Sequence, residues 1–184
     1  MGSAVRRAPR ECVCEGDGFE CQERVCLYTT VCSLVSAYDG RHANLYRFAP
    51  LLRKKATQDD PSRVITTASI AGIGVGTLGE NATFGYSASK AAVLHLTRNL
   101  ALELGPQHII CNSIAPGFFP TKMASGLMEL TGGVEKLAAA SPNRRLGHPE
   151  DIAGTIVYLC SRAGGHVNGG NIVLDGGSVL QAKL

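Results

Sequence analysis

No stretch of this 184-residue sequence approaches the ~20 consecutive apolar residues needed to span a bilayer. The apolar run at residues 25–32 is short and is not followed by a small-residue cleavage site, so it does not read as a signal segment. Met1-Gly2 lacks Ser or Thr at the sixth position, where Arg6 stands, which disfavours myristoylation. A soluble cytoplasmic protein with no membrane partner is therefore expected. A strong charge of one sign is also missing. The net charge of +3 is dispersed, which argues against a nucleic-acid partner, and Arg6, Arg7 and Arg10 read as a solvated tail. Metal-ligand spacing is absent too. Cys12, Cys14, Cys21, Cys26 and Cys32 crowd together without a Cys-x-x-Cys pair, and His95, His108, His148 and His166 follow no ligand pattern, so no metal is expected. Nothing else favours an oxidising compartment, so the thiols are expected to be reduced, with Cys111 and Cys160 serving as small buried hydrophobes.

What is present is length enough for one domain with a core, few aromatics and 22 glycines, a mix suited to an α/β protein with many tight turns. Residues 1–35 hold no sustained period apart from the β-branched stretch at 25–31, so a Cys-rich, poorly ordered arm is expected ahead of a domain at 36–184. From there the pattern is regular. Leu45, Phe48, Leu51 and Leu52 recur at helical spacing and end in Arg53-Lys54-Lys55, cations suited to a helix C-terminus. A buried strand is predicted at 63–67, then a glycine-rich loop, a helix from Tyr86 to Leu104 stopped by Gly105-Pro106, and a strand at 108–114. Helical pieces follow at 122–130 and 134–140, a helix opened by Pro149-Glu150-Asp151 runs to Leu159, and a last strand covers 171–174. This alternation predicts a parallel, doubly wound sheet.

Tyr86 and Lys90, four residues apart at the start of a helical pattern, fall on one face one turn apart. A phenol, with a reference pKa near ~10, is a poor proton donor at neutral pH, and a nearby ammonium favours its ionised form. Ser69 ends the strand before, Pro116-Gly117 ends the next, and Asp175-Gly176-Gly177 follows the last. Ligands of open parallel sheets bind beyond the carboxyl ends of the strands, so these residues converge on the expected cleft. Each has an ordinary alternative: Ser69 as a turn cap, Lys90 as a solvated helix cation, Pro116-Gly117 as a plain turn. Glu80 reads as a solvated loop residue.

Residues from about 45 to 184 resemble the C-terminal part of a short-chain dehydrogenase/reductase. The matching stretches are Thr67-Ala68-Ser69, Tyr86-Ser87-Ala88-Ser89-Lys90, Asn112-Ser113-Ile114-Ala115-Pro116-Gly117, the run at 145–153 and Asp175-Gly176-Gly177. The segment at 78–86 is also similar to rhamnolipid-biosynthesis-type 3-oxoacyl-[acyl-carrier-protein] reductases. The resemblance implies an NAD(P)(H)-dependent oxidoreductase acting on a small-molecule carbonyl or secondary alcohol, with NADP as the preferred form. It implies that Ser69 orients the substrate oxygen, that Tyr86 exchanges its proton and that Lys90 tunes Tyr86 and binds ribose hydroxyls. Pro116, Gly117, Phe118 and Thr121 would hold the nicotinamide carboxamide. An oligomer through the helix at 86–104 is implied as well, where Ala-rich residues permit close approach.

The family's opening features are missing. No strand runs into a Gly-x-x-x-Gly-x-Gly turn, and Gly16-Asp17-Gly18 is the nearest approach. The family's further catalytic Asn falls near Ser36 or Ala37, and Asn44 lies too close to the end of its helix to replace it. The expected fold is thus a truncated Rossmann-like sheet lacking its N-terminal strands, with residues 25–31 as a candidate replacement strand. The alternative function is a non-catalytic truncated isoform or an oligomerisation partner of a full-length relative. A third reading makes the Cys-rich arm a metal-binding module.

Overall fold

The computed structural model describes residues 25–28, 43–75, 82–121, 126 and 132–181. Four parallel strands lie side by side in chain order: β1 (Val25–Tyr28), β2 (Ser62–Thr67), β3 (Ile109–Pro116) and β4 (Asn171–Leu174). Parallel neighbours need crossovers, which among the described elements are helices. Helix α1 (Ala43–Arg53) follows β1, α2 (Phe84–Leu104) joins β2 to β3, and α3 (Gly133–Ala140) and α4 (Pro149–Cys160) lie between β3 and β4.

The layers follow from the two-residue period of β2. Val64 packs with Ala49 and Leu52 of α1, Leu100, Ala101 and Leu104 of α2, and Ile109 and Cys111 of β3. Its neighbour Ile65 faces the other way, with Ile114 and with Leu159, Ile152 and Ile156 of α4. Successive strand residues therefore serve opposite layers, which is why Ser62–Thr66 are all buried although only Val64 and Ile65 are apolar. Leu104 and Leu159 are each 1% exposed, and full burial of such a side chain stabilises by ~1.5–3 kcal/mol.

After Leu104 the chain tightens into a 3-10 turn, Gly105–Gln107, and reverses at His108 in the left-handed region (φ 58°) before entering β3. Asn168 ties this corner together. Its amide donates to the Ala101 carbonyl (3.0 Å) and accepts from the Cys111 N–H (2.9 Å), linking α2 to β3.

The expected strands at 63–67 and 171–174 and the expected helices at 86–104, 134–140 and 149–159 match to within two residues at each end. β3 is longer than predicted, since Ala115 and Pro116 still pair with Val173 and Leu174 of β4. The candidate strand at 25–31 is present as β1, paired from Val25 opposite Arg63 to Tyr28 opposite Thr66, with residues 29–31 outside the described residues. The arm at 1–24, the boundary at 35–36, Glu80 and most of the helical piece at 122–130 also lie outside, although Gly126 is helical. Cys111 is buried as expected, whereas Cys160 is only half-buried at the end of α4. Among the described residues no helix is long and apolar enough to cross a membrane.

Candidate active site

The site is built at the carboxyl ends of β2, β3 and β4. The β2–β3 ladder runs one step past the strand, with Ala68 N–H donating to the Ile114 carbonyl (2.8 Å), so Ser69 leaves the sheet from a fixed point. Ser69 is extended (φ −166°, ψ 157°) and its Oγ accepts the Ala71 N–H (3.2 Å), capping the 3-10 turn Ile70–Gly72. The ordinary alternative for this residue, a turn cap, therefore holds. It does not compete with a chemical role, because accepting that bond leaves the hydroxyl's own O–H as the donor. Ser69 is 9% exposed.

Tyr86 is the third residue of α2, and Lys90 follows one turn later on the same face. The ammonium stands over the phenol ring, 5.6 Å from its centroid. Lys90 is not the solvated cation of the ordinary reading. It is 8% exposed and donates to the Thr67 carbonyl at 3.0 Å, at the end of β2. Lysine is almost never so buried without a partner, and here the partner ties the helix to the strand that presents Ser69. Tyr86 is 47% exposed, so its ring borders open space rather than the core. Its neighbour Ser89 donates to the Tyr86 carbonyl (2.7 Å).

The β3 end closes the opposite side. Gly117 N–H donates to the Leu174 carbonyl (2.9 Å), drawing the two strand ends together. A Cβ on Gly117 would lie 2.7 Å from Asp175 Cβ and 3.0 Å from its Cα, with Ile70 Cδ1 at 3.4 Å. Only glycine permits this approach, and through Ile70 it brings the Ser69 turn into contact with the ends of β3 and β4. Asp175 then accepts the N–H groups of Gly177 (2.8 Å) and Val179 (2.6 Å) and holds the turn after β4. Phe118 is half-buried, Phe119 is buried against Gly147, and Thr121 is exposed.

A cavity of about 200 Å³ lies beside this end, lined by Phe118, Phe119, Leu137, Leu146, Leu174 and Asp175 among others. None of Ser69, Tyr86 or Lys90 lines it. Geometry and donor chemistry, rather than cavity volume, mark the site. Along the cavity wall Arg145 forms a two-point ion pair with Asp151 (2.6 and 2.9 Å). The hydrogen bond from Arg145, helped by the His148 N–H, holds the Asp151 carboxyl well below the usual carboxylate range, and the same bond raises the Arg145 guanidinium. The pair pins the loop before α4 to the first turn of that helix.

The structure thus brings Ser69, Tyr86 and Lys90 around the end of β2, and Pro116, Gly117 and Phe118 to the adjoining end of β3. Two contributors escaped sequence reasoning. The Thr67 carbonyl has no side-chain signal at all. Ile70, which reaches Gly117, carries nothing in the sequence to set it apart from other apolar residues. Arg145 and Asp151 stood within a matching stretch, and an Arg ahead of a Pro-opened helix with an acid in its first turn was the available signal.

The chemistry of the donor set can be tested against a nicotinamide nucleotide. A phenol, a hydroxyl and an ammonium, with no carboxylate among them, suit a ribose and a polar carboxamide. The nicotinamide end of such a group fits. None of the described residues forms the Gly-x-x-x-Gly-x-Gly turn that would hold its pyrophosphate, so the fit covers that end alone.

A parallel sheet with helices on both faces defines a doubly wound, Rossmann-like α/β fold. Residues 35–179 match the family described as enoyl-(acyl carrier protein) reductase. The chain is 40% identical over 133 residues to the rhamnolipids biosynthesis 3-oxoacyl-[acyl-carrier-protein] reductase of Pseudomonas aeruginosa, covering 72% of this chain and 51% of that protein. It is 44% identical over 118 residues to the short-chain dehydrogenase/reductase VdtF of Byssochlamys spectabilis, covering 64% and 37% respectively. Among solved structures, the Pseudomonas aeruginosa RhlG/NADP active-site complex superposes with a TM-score of 0.70 at 34% identity, over 84% of this chain and 64% of that one. The aldohexose dehydrogenase of Thermoplasma acidophilum, at 20% identity and a TM-score of 0.69, shares the fold. The chain belongs to the short-chain dehydrogenase/reductase family, and it spans 37% and 51% of the lengths of the two curated relatives named here.

Proposed function

We propose that the chain is an NAD(P)(H)-dependent oxidoreductase that interconverts a carbonyl and a secondary alcohol, with Tyr86 as the proton-exchanging group. The observation that carries this reading is the buried Lys90 ammonium standing over the Tyr86 ring at 5.6 Å. When Tyr86 gives its proton to the substrate oxygen, negative charge develops on the phenol, and the buried ammonium stabilises it, with solvent around the exposed part of the ring screening some of the field. Ser69, whose Oγ already accepts the Ala71 N–H, donates a hydrogen bond from its O–H to the same oxygen and orients it, keeping its own proton. Lys90 would also bind the nicotinamide ribose hydroxyls, while Pro116, Gly117, Phe118 and Thr121 would hold the carboxamide. A nicotinamide bound there would supply or accept the hydride.

Likeness to the rhamnolipids biosynthesis reductase supports a 3-oxoacyl substrate, and likeness to the RhlG complex supports NADP as the cofactor form. The test is direct. The purified chain is titrated with NADPH by fluorescence and assayed with a 3-oxoacyl thioester. Binding and turnover are expected; no binding together with no turnover on any carbonyl or alcohol would sink the proposal.

The outer face of α2 favours a second reading, an oligomerisation partner of a full-length relative. Ala88, Ala91, Ala92 and His95 are exposed along it, and Leu102 is 80% exposed. Co-purification with such a relative, with no turnover by this chain alone, is the outcome that would select it.

A further inference from the structure

The turn that follows Ser69 is closed on itself. Gly72 N–H donates to the Ser69 carbonyl (3.0 Å), and Ile73 and Gly74 both donate to the Ile70 carbonyl (3.0 and 2.9 Å). Ser69 and the turn therefore move together. The turn lies against α2 at Gly72. A Cβ there would stand 2.6 Å from Ala91 N and from Lys90 C, and 2.9 Å from Lys90 O. These are helix backbone atoms, so no side chain can swing aside. Gly72 is absent from the residues with positive φ, so its conformation does not call for glycine; the contact does. Ordinary contact starts at 3.4 Å, so a methyl group would push the turn from the helix by roughly 0.8 Å, the difference between 3.4 and 2.6 Å.

We infer that Gly72 is a positioning residue whose missing side chain sets the spacing between the Ser69 hydroxyl and the Tyr86–Lys90 pair. The inference rests on the roles proposed above for those three residues. Gly72 packs on the backbone of Lys90 and donates to the Ser69 carbonyl, so the gauge runs from one proposed site residue to another through this single glycine. A misplacement of about 1 Å at a reacting centre can cost on the order of 10²-fold in rate, and the displacement here approaches that.

The test compares Gly72→Ala with Gly74→Ala in the same turn. A Cβ on Gly74 would meet only Val179 Cγ2, at 3.0 Å, and the Ile70 carbonyl at 3.9 Å, so a side-chain methyl rather than helix backbone has to give, and only by a few tenths of an ångström. Gly72→Ala is expected to lower kcat by ~10–100-fold while KM and NADPH affinity stay within about threefold, with Gly74→Ala near wild type. A crystal structure of Gly72→Ala should show Ser69 Oγ moved away from Lys90 by more than about 0.5 Å. An unmoved Ser69, or an unchanged kcat, overturns the inference. If the wild-type chain turns over no carbonyl or alcohol, the proposed function fails, and the position of Ser69 in the variant alone decides the inference. Should Gly72→Ala not fold, Ile70→Ala releases the turn on its β3 side. Ser69 staying in place in that structure supports Gly72 as the gauge, and Ser69 moving refutes it.

Discussion

Replacing Lys90 with methionine separates the ammonium from the rest of the side chain. Methionine keeps the unbranched stem and a helix propensity close to that of lysine, so what disappears is the charge. At 5.6 Å from the Tyr86 ring centroid, a unit charge contributes ~3 kcal/mol to a developing phenolate at an effective dielectric of ~20. Each ~1.36 kcal/mol is tenfold in rate, so full expression of that interaction is about a hundredfold. Tyr86 is 47% exposed, and solvent around its open half screens part of the field. Lys90→Met is therefore expected to lower kcat by between ~10-fold and ~100-fold. Stability should respond differently. The variant loses a charged hydrogen bond to the Thr67 carbonyl, worth ~1.5–3 kcal/mol, but it also removes the cost of holding an ammonium that is 8% exposed. The two nearly offset, so Tm should move by less than about 4 °C, given ~2–4 °C per kcal/mol at this size. Steady-state kinetics and thermal unfolding by circular dichroism measure both. A kcat within threefold of wild type refutes the electrostatic role. A fall in Tm beyond ~8 °C means that the ammonium chiefly ties α2 to β2.

Four further outcomes are expected. The Arg145 hydrogen bond lowers the Asp151 pKa, so this group adds stability above the ordinary carboxylate value of 3.8 and loses it as pH falls towards the depressed native value; the Tm gap between wild type and Asp151→Asn should be present at pH 7 and shrink below pH ~4. Leu104→Ala, at a position 1% exposed and packed between α1, β2 and β3, should destabilise by ~2–5 kcal/mol in urea unfolding, whereas Gly154→Ala, with nothing within 4 Å of its added Cβ inside α4, should stabilise by ~0.5–1 kcal/mol. Burial raises the Cys160 thiol pKa, so peptide mapping after iodoacetamide treatment at pH ~8 should show it alkylated several-fold more slowly than a free thiol.

The strands and helices around the site were legible because their signals are local. Val64 and Ile65 announce a strand buried on both faces, Gly105-Pro106 stops α2, and Pro149 with two acids opens α4. The candidate pair was legible for the same reason: Tyr86 and Lys90 need only helical spacing to meet. β3 came out longer than predicted because its last two residues are paired by β4, which lies far along the chain. Cys160 looked like a core residue in an apolar run, yet the end of α4 leaves it half-exposed.

Residue order alone thus determined the alternation of elements, the family and the presence of Ser69, Tyr86 and Lys90, since each depends on spacing along one segment. Tertiary structure decided where the Lys90 ammonium goes and how close the strand ends come. Its acceptor is a backbone carbonyl 23 residues away, and a carbonyl is the same in every residue, so no sequence can mark it. The tight approaches at Gly72 and Gly117 likewise belong to pairs of segments. A glycine in the sequence shows that a side chain is missing; only the packed fold shows which backbone occupies the space.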